Sequence, residues 1–390
     1  MHFLDCPAGL LNRRQWAQWT AAACAVAASE AAAQSPAASD SQRPLAVAQI
    51  ADMSPGQQDV SRDFLVGSRA AWQDLNARGG IRGRTVQHIT LETDGTSASL
   101  QSAWQAAQRQ PGCVALSGCV GNAAAAGLVA LQSSGGTSPP LPLVAPWLHN
   151  AVSDSEAETV FEVFPDHQVQ ITHAVKTLAS MGVQQIGVVF ATAQVKQQSQ
   201  GYVTQAAQSM GLQTQVLPLP GSGGAAAKQL SNPAQTILLF LGGTPELHDF
   251  ASKLVTPAGR QCYVVALADV NLQVLAQMGG TAKGTSIIAT QAVPLVTSSA
   301  PVVRAYRETL ARLYDEPPSP QGLAGFIAAR YTAEVLGTIS GPVTRANVLS
   351  TLQRRTDVNV GGFSVAYQGK KRTNAYVTQS MLTPDGRIVG

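Results

Sequence analysis

The residue types able to do chemistry are few in this chain, and their spacing is wrong for most of it. His167 and His173 are six residues apart, so one helical face would not carry both imidazoles, and no HExxH pairs two of them for zinc. Asp166-His167 could form half of a catalytic dyad, but at a helix start it reads as a cap followed by a surface imidazole. No GxSxG elbow follows a strand, and no GxxxxGKS/T cradle is present. The "GSGG" at 221–224 follows a proline in a polar stretch and suits a linker better than a phosphate site. Cys113, Cys119 and Cys262 lack metal-ligand spacing, and an extended segment would hold the first two too far apart to bridge. They read as buried apolar thiols. No catalytic residue, metal site or cofactor is predicted.

What remains are the turns that end strands. "LAVAQIAD" (45–52), "TVQHITLETD", "CVALS" and "PLVAP" are short apolar or alternating strands. Amphipathic helices separate them: one carries Leu65, Ser68, Trp72 and Leu75 on a single face, another Leu100, Ala103, Trp104 and Ala107 behind a Thr96 cap. The alternation resumes with "ETVFEVFPD" (158–166), a helix bearing Ile171, Val175 and Leu178, and the strands "QIGVVF", "QTILLFLGG" and "CYVVALAD". Such interleaving predicts parallel sheets covered on both faces, in two successive α/β units. Beyond "GTSIIATQAVP" come two helices and a β-rich tail whose Asp385-Gly386 pair signals a hairpin. In "DLNARGGIRGR" (74–84), Gly79 or Gly80 can take the left-handed conformation that ends a helix, Ile81 can fold back, and the arginines read as solvated.

At the carboxyl edge of a parallel sheet, backbone N–H groups at helix starts can hold a polar or anionic ligand. Three turns fit: "DMSPGQQ", "SGCVGN" and "APWLHN". Ser117, Gly121 and Asn122 would offer a hydroxyl and bare amides, and Trp147 an apolar face. Each alone reads as a capped helix start or a core aromatic, but three from neighbouring strands make a candidate site.

Composition excludes other classes. Charged residues are 13% of the chain and the net charge of +3 is spread out, so nucleic acid is not an expected partner. Arg13 and Arg14, the apolar run Thr20 to Ala28 and the small residues Ala31 to Ala33 read as an export signal over 1–33, with a flexible leader at 34–44. Cys6 and Cys24 fall within that signal. "NRRQWAQW" resembles a twin-arginine motif and leaves the export route open.

From about residue 44 to the end, the chain resembles the type I periplasmic solute-binding proteins of ABC transporters, the leucine/isoleucine/valine-binding-protein-like family. The resemblance rests on "GSRAAWQDLNARGGIRGRTVQHITLETDGTSA", "ALSGCVGNAAAA", "IIATQAVP", "GFIAARYTAEVL" and "VGGFSVAY", in that order. It implies two Rossmann-like α/β lobes, 45–163 with 290–373 and 164–289 with 374–390, joined by crossovers near 164, 289 and 374. It implies a small molecule, an amino acid or related carboxylate or aromatic acid, trapped by lobe closure and delivered to an inner-membrane ABC permease by a periplasmic monomer, with no enzymatic activity. A sensor feeding a membrane-bound regulator would use the same closure, and an α/β enzyme with an unrecognised site is the third alternative. By position, the resemblance assigns ligand contacts to Gln57, Ser117, Val120, Gly121, Asn122, Pro146 and Trp147, and places Phe164 and Asp166 at the first hinge. Further contacts fall on "FATAQVK" and "LADV", with Asp269 in the place of the acid that receives a ligand's ammonium. "ATAQVK" lacks the aromatic that amino-acid binders place there, and "APWLHN" replaces a hydroxyl-rich loop. These departures point away from a plain α-amino acid toward a bulkier apolar or aromatic carboxylate.

Overall fold

The computed structural model describes residues 44–135, 138–217, 237–254, 259–281, 283–373 and 376–390. The expected export signal, the leader apart from Pro44, and the "GSGG" segment lie outside the described residues. Among the described residues, no helix is long and apolar enough to cross a membrane.

The first sheet has the order β2-β1-β3-β4-β5, all parallel, formed by Leu45–Asp52 (β1), Val86–Thr93 (β2), Cys113–Ser117 (β3), Leu143–Val144 (β4) and Val160–Phe161 (β5). Alternation along β1 sets its two faces. Ala46, Ala48 and Ile50 meet Leu100, Trp104 and Leu128, from helices α2 (Ser97–Arg109) and α3 (Asn122–Ser133). Leu45, Val47 and Ala51 meet α1 (Gln58–Ala77), and later helices return to this face. "ETVFEVFPD" is less extended than its sequence predicts: Glu158 closes a 3₁₀ turn, and β5 keeps only two residues.

The chain then enters a second sheet through α4 (His167–Ser180), β6 (Gln185–Phe190), α5 (Ala193–Ser209) and β7 (Gln213–Val216). It continues with β8 (Ile237–Leu241), α6 (Thr244–Ser252), β9 (Cys262–Ala266), α7 (Leu272–Gln277) and β10 (Thr285–Gln291). β10 stays paired through Gln291, and the chain leaves this sheet after that residue. Helices α8 (Pro301–Leu313), α9 (Pro320–Thr338) and α10 (Arg345–Gln353) follow; α8 and α9 pack on α1, and α10 packs on β3. Two small hairpins come next, β11 (Val358–Val360) with β12 (Phe363–Val365) and β13 (Tyr367–Gln368) with β14 (Lys371–Arg372). The chain then crosses back to β15 (Thr378–Leu382) and β16 (Ile388–Val389), completing the order β16-β15-β10-β9-β8-β6-β7. Cys113, Cys119 and Cys262 are free and buried.

Helices α1 and α9 approach at backbone contact. A Cβ on Gly67 would stand 1.7 Å from the Gly322 carbonyl oxygen, and one on Gly325 would stand 1.9 Å from that of Phe64. A buried polar chain ties this pair to the sheet. Ser68 Oγ lies 3.1 Å from the carbonyl oxygens of Phe64 and Gly325, Gln49 Nε2 donates to Ser68 Oγ, and His88 Nε2 sits 2.9 Å from Gln49 Oε1.

The α1 C-terminus ends as its glycines predict, with Gly79, Gly80 and Gly83 all at positive φ and Ile81 buried. Its arginines are not simply solvated. Asp74 is buried, and burying a carboxylate requires partners; Arg78 and Arg312 bridge it at 2.9 and 2.7 Å. Arg82 reaches the carbonyls of Ile339 and Gly341.

Two predictions follow from the α1–α9 contact and its polar chain. Gly325→Ala must push the helices apart and is expected to cost ~3 kcal/mol in urea unfolding. Burial, with Arg69 adding to it, pushes His88 down to about 4. Its unfolded value is near 6.5, so stability is full above that pH and is lost as pH falls from about 6.5 to about 4. The loss approaches ~3 kcal/mol. Chemical melts across that window should show the slope, and His88→Gln should flatten it.

Candidate functional site

The first-sheet turns converge as β1, β3 and β4 end side by side. Val120 bridges Ala51 in parallel, with its N–H on the Ile50 carbonyl and its own carbonyl receiving the Asp52 N–H. Gly121 then turns at φ +102, where a Cβ would stand 2.3 Å from that of Asp52. This brings α3's first residue under the first turn: Gln57 Oε1 accepts from the Asn122 N–H at 3.2 Å. Ser117 does not join them. Strand alternation turns its hydroxyl into the lobe, 2.6 Å from Thr332 Oγ1 on α9. The side chains of Val120 and Pro146 are likewise buried.

The third turn reaches furthest. Ala145 holds φ +50, a left-handed conformation uncommon outside glycine, and Trp147 N–H bonds the Cys119 carbonyl. That geometry sets Trp147 among aromatics, 5.3 Å from Phe164 and 5.8 Å from Phe64 between ring centroids. Its indole N–H donates to Asp269 Oδ1 at 3.1 Å, although Asp269 belongs to the turn after β9 in the other sheet. His149 Nε2 lies 2.9 Å from the same oxygen, and His167 Nε2 lies 2.5 Å from Asp269 Oδ2. The two imidazoles stack with centroids 3.8 Å apart, and the His167 N–H bonds the His149 carbonyl.

Asp166 caps α4 by accepting from the Val169 N–H, as an Asp before a helix should. His167, however, is not a surface imidazole: it is 9% exposed and tied to Asp269. Burial opposes the charge on Asp269, yet the two histidines outweigh it and hold the carboxyl well below the usual carboxylate range. Burial pushes His149 down, with the Asp269 charge opposing. The Asp269 turn is itself clamped. Gln170 Oε1 accepts from the Ala268 N–H, and Gln321 Nε2, from α9, donates to the carbonyls of Ala268 and Val270.

A cavity of about 460 Å³ opens between α1 and the starts of α6 and α7, with Asp59, Arg62, Asp63 and Gln273 among its walls. Burial raises both Asp59 and Asp63 above the usual carboxylate range. Asn271 Nδ2 donates to Asp63 Oδ2 at 2.9 Å, a further polar contact between the two α/β units.

Two α/β lobes whose strand-end turns face each other are the architecture of a solute-binding cleft. The periplasmic binding protein family matches residues 44–382. The chain belongs to that family. No curated protein matches it in sequence. Among solved structures, it is similar to an extracellular ligand-binding receptor from Verminephrobacter eiseniae, at 18% identity and TM-score 0.76, over 89% of this chain and 100% of that one. A substrate-binding periplasmic protein from Ralstonia solanacearum matches at 23% identity and TM-score 0.74, over 88% and 99%. A branched-chain amino acid ABC transporter protein from Thermus thermophilus, with bound valine, matches at 13% identity and TM-score 0.74, over 89% and 95%. These likenesses fix the fold, two lobes of helix-flanked parallel sheet. The family is one of solute-binding proteins.

Within this periplasmic binding protein, the structure gathers Gln57, Gly121 and Asn122 at one point and Trp147, Phe164 and Asp269 at another. Sequence reasoning missed His149, which has no partner within reach along the chain. It also missed Asp59 and Asp63, whose i, i+4 spacing on α1 was the available signal. The Trp147–Asp269 bond can be tested directly. Trp147→Phe keeps an aromatic ring but removes a donor to a buried charge, and should cost ~2 kcal/mol in urea unfolding.

Proposed function

We infer that the protein is an exported, periplasmic solute-binding protein that captures a small carboxylate with an apolar or aromatic body and delivers it to an ABC permease. In this reading 45–163 with 292–373 form one lobe and 164–291 with 374–390 the other, since β10 pairs in the second sheet through Gln291. Capture uses lobe closure, which needs a solute that binds the closed state better than the open one. Hinge residues lie around Phe164 and Asp166.

The observation that carries the choice of solute is the state of Asp269. An α-amino acid needs an acidic acceptor for its ammonium. Both oxygens of Asp269 are already engaged, by Trp147 and His149 on one side and His167 on the other. An incoming ammonium would have to displace buried donors to charge, each worth more than a neutral hydrogen bond. The acid-lined cavity beside α1 is a poor receiver for an anion, so the solute carboxylate is assigned to the α3 start, where it would displace the neutral Gln57 Oε1 from the Asn122 N–H and take a hydrogen bond from the Gln57 amide instead. Trp147 and Phe164 supply the apolar wall.

Isothermal titration with benzoate-type acids, leucine and glutamate tests this. A benzoate-type acid is expected to bind at least tenfold more tightly than leucine, and Gln57→Ala should weaken it. Tight leucine binding would overturn the choice of solute.

A further inference from the structure

We propose that His149, His167 and Asp269 form a binding site for one divalent transition-metal ion, zinc foremost, that spans the two lobes. The site does not depend on which solute the cleft takes. Three residues far apart in sequence bring two imidazole Nε2 atoms and a carboxylate together, the ligand atoms all within 4.8 Å of one another. Two imidazole nitrogens and one carboxylate oxygen are a donor set for zinc and its first-row neighbours rather than for calcium or magnesium, which prefer oxygen alone.

The geometry needs little change. Ligand atoms around a tetrahedral zinc stand about 3.3 Å apart, given metal–ligand bonds near 2.0–2.1 Å. His149 Nε2 and His167 Nε2 are now 2.9 and 2.5 Å from the Asp269 oxygens. Those two contacts would have to open toward that spacing to admit the ion, with the three ligand atoms starting within 4.8 Å of one another. The stacked rings already present both nitrogens to one carboxylate. The supporting shell is also in place. Trp147 donates to Asp269 Oδ1 and fixes the carboxylate, the backbone N–H of His167 bonds the His149 carbonyl and ties the two histidine segments together, and Gln170 and Gln321 hold the turn on either side of Asp269. Such outer contacts orient metal ligands and sharpen affinity.

The elements that supply the ligands make the ion an interlobe staple. His149 follows β4 in the first sheet, while His167 opens α4 and Asp269 follows β9 in the second lobe. An ion held by all three favours the state in which the lobes touch, and mass action would stabilise that state. Three protein ligands leave a fourth position, which water would fill.

The experiment uses the untagged full chain, stripped with EDTA and titrated with zinc chloride by calorimetry, with metal content measured by plasma mass spectrometry. One equivalent of zinc should bind, and small-angle scattering should show a more compact particle with zinc than without. His149→Ala, His167→Ala and Asp269→Asn should each weaken binding at least tenfold. Cobalt should bind with the strong visible bands of a four-coordinate site and should quench tryptophan fluorescence, and Trp147→Phe should remove most of that quenching. Failure of the unmutated protein to bind one equivalent would overturn the proposal, and so would zinc held undiminished by folded His149→Ala and His167→Ala variants. The cobalt spectrum of the unmutated protein decides the matter even if a variant fails to fold.

Discussion

The contact on which most of this structure depends is the one between α1 and α9. At Gly67, Gly322 and Gly325 no side chain separates the two backbones, and the space beside each Cα is filled by the opposite helix or its neighbours. Close-packed interiors do not absorb such changes, so the relative position of these helices is set to within a fraction of an ångström. Both then act at their N-terminal ends. Helix α1 begins beside Gln57 and carries Asp59 and Asp63 into the interlobe cavity. Helix α9 carries Gln321 in its first turn, which reaches out of its own lobe to the carbonyls around Asp269. A packing constraint deep in one lobe thus places polar groups at its contact with the other.

The Asp269 turn is the second half of that connection. It is gripped by Gln321 from one lobe and by Gln170 from the other, and Gln170 also receives a hydrogen bond from the Thr290 hydroxyl at the end of β10. Gln170, close to one of the chain's passages between the sheets, thus touches the turn that carries the buried acid, and Thr290, close to another, reaches that turn through Gln170. Displacing Gln170 or Thr290 would therefore disturb the seating of Asp269.

Much of the fold was legible along the chain because it follows from local periodicity. The apolar stripes of α1 and α2, the Thr96 and Asp166 caps and the glycine stop at 79–83 each arise from a few neighbouring residues and took their expected forms. The departures arose where a distant partner decided the outcome. Ser117 turned inward because strand register aims it at Thr332, more than two hundred residues later. Arg78 and Arg82 stay exposed to water as expected but also reach a buried carboxylate and the carbonyls just after α9. The carboxylate-bound histidines were illegible for the same reason. His149, His167 and Asp269 sit in three separate turns, and only the facing of two sheets brings them together.

The balance of charge around Asp269 carries the functional argument furthest. A carboxylate removed from water costs several kcal/mol unless its lone pairs are met, and here they are met by an indole N–H and two imidazoles. To supply the indole, the chain accepts a left-handed Ala145, a strain of order 1–3 kcal/mol that persists only where surrounding structure enforces it. The supporting structure is visible: Ala145 N–H is held by the Phe161 carbonyl and Trp147 N–H by that of Cys119. An acid meant to receive an ammonium would gain nothing from such provision, since each protein donor competes with the ligand for the same lone pairs. An acid meant to orient two imidazoles, or to hold the lobes in register while the solute is recognised elsewhere, gains from all of it.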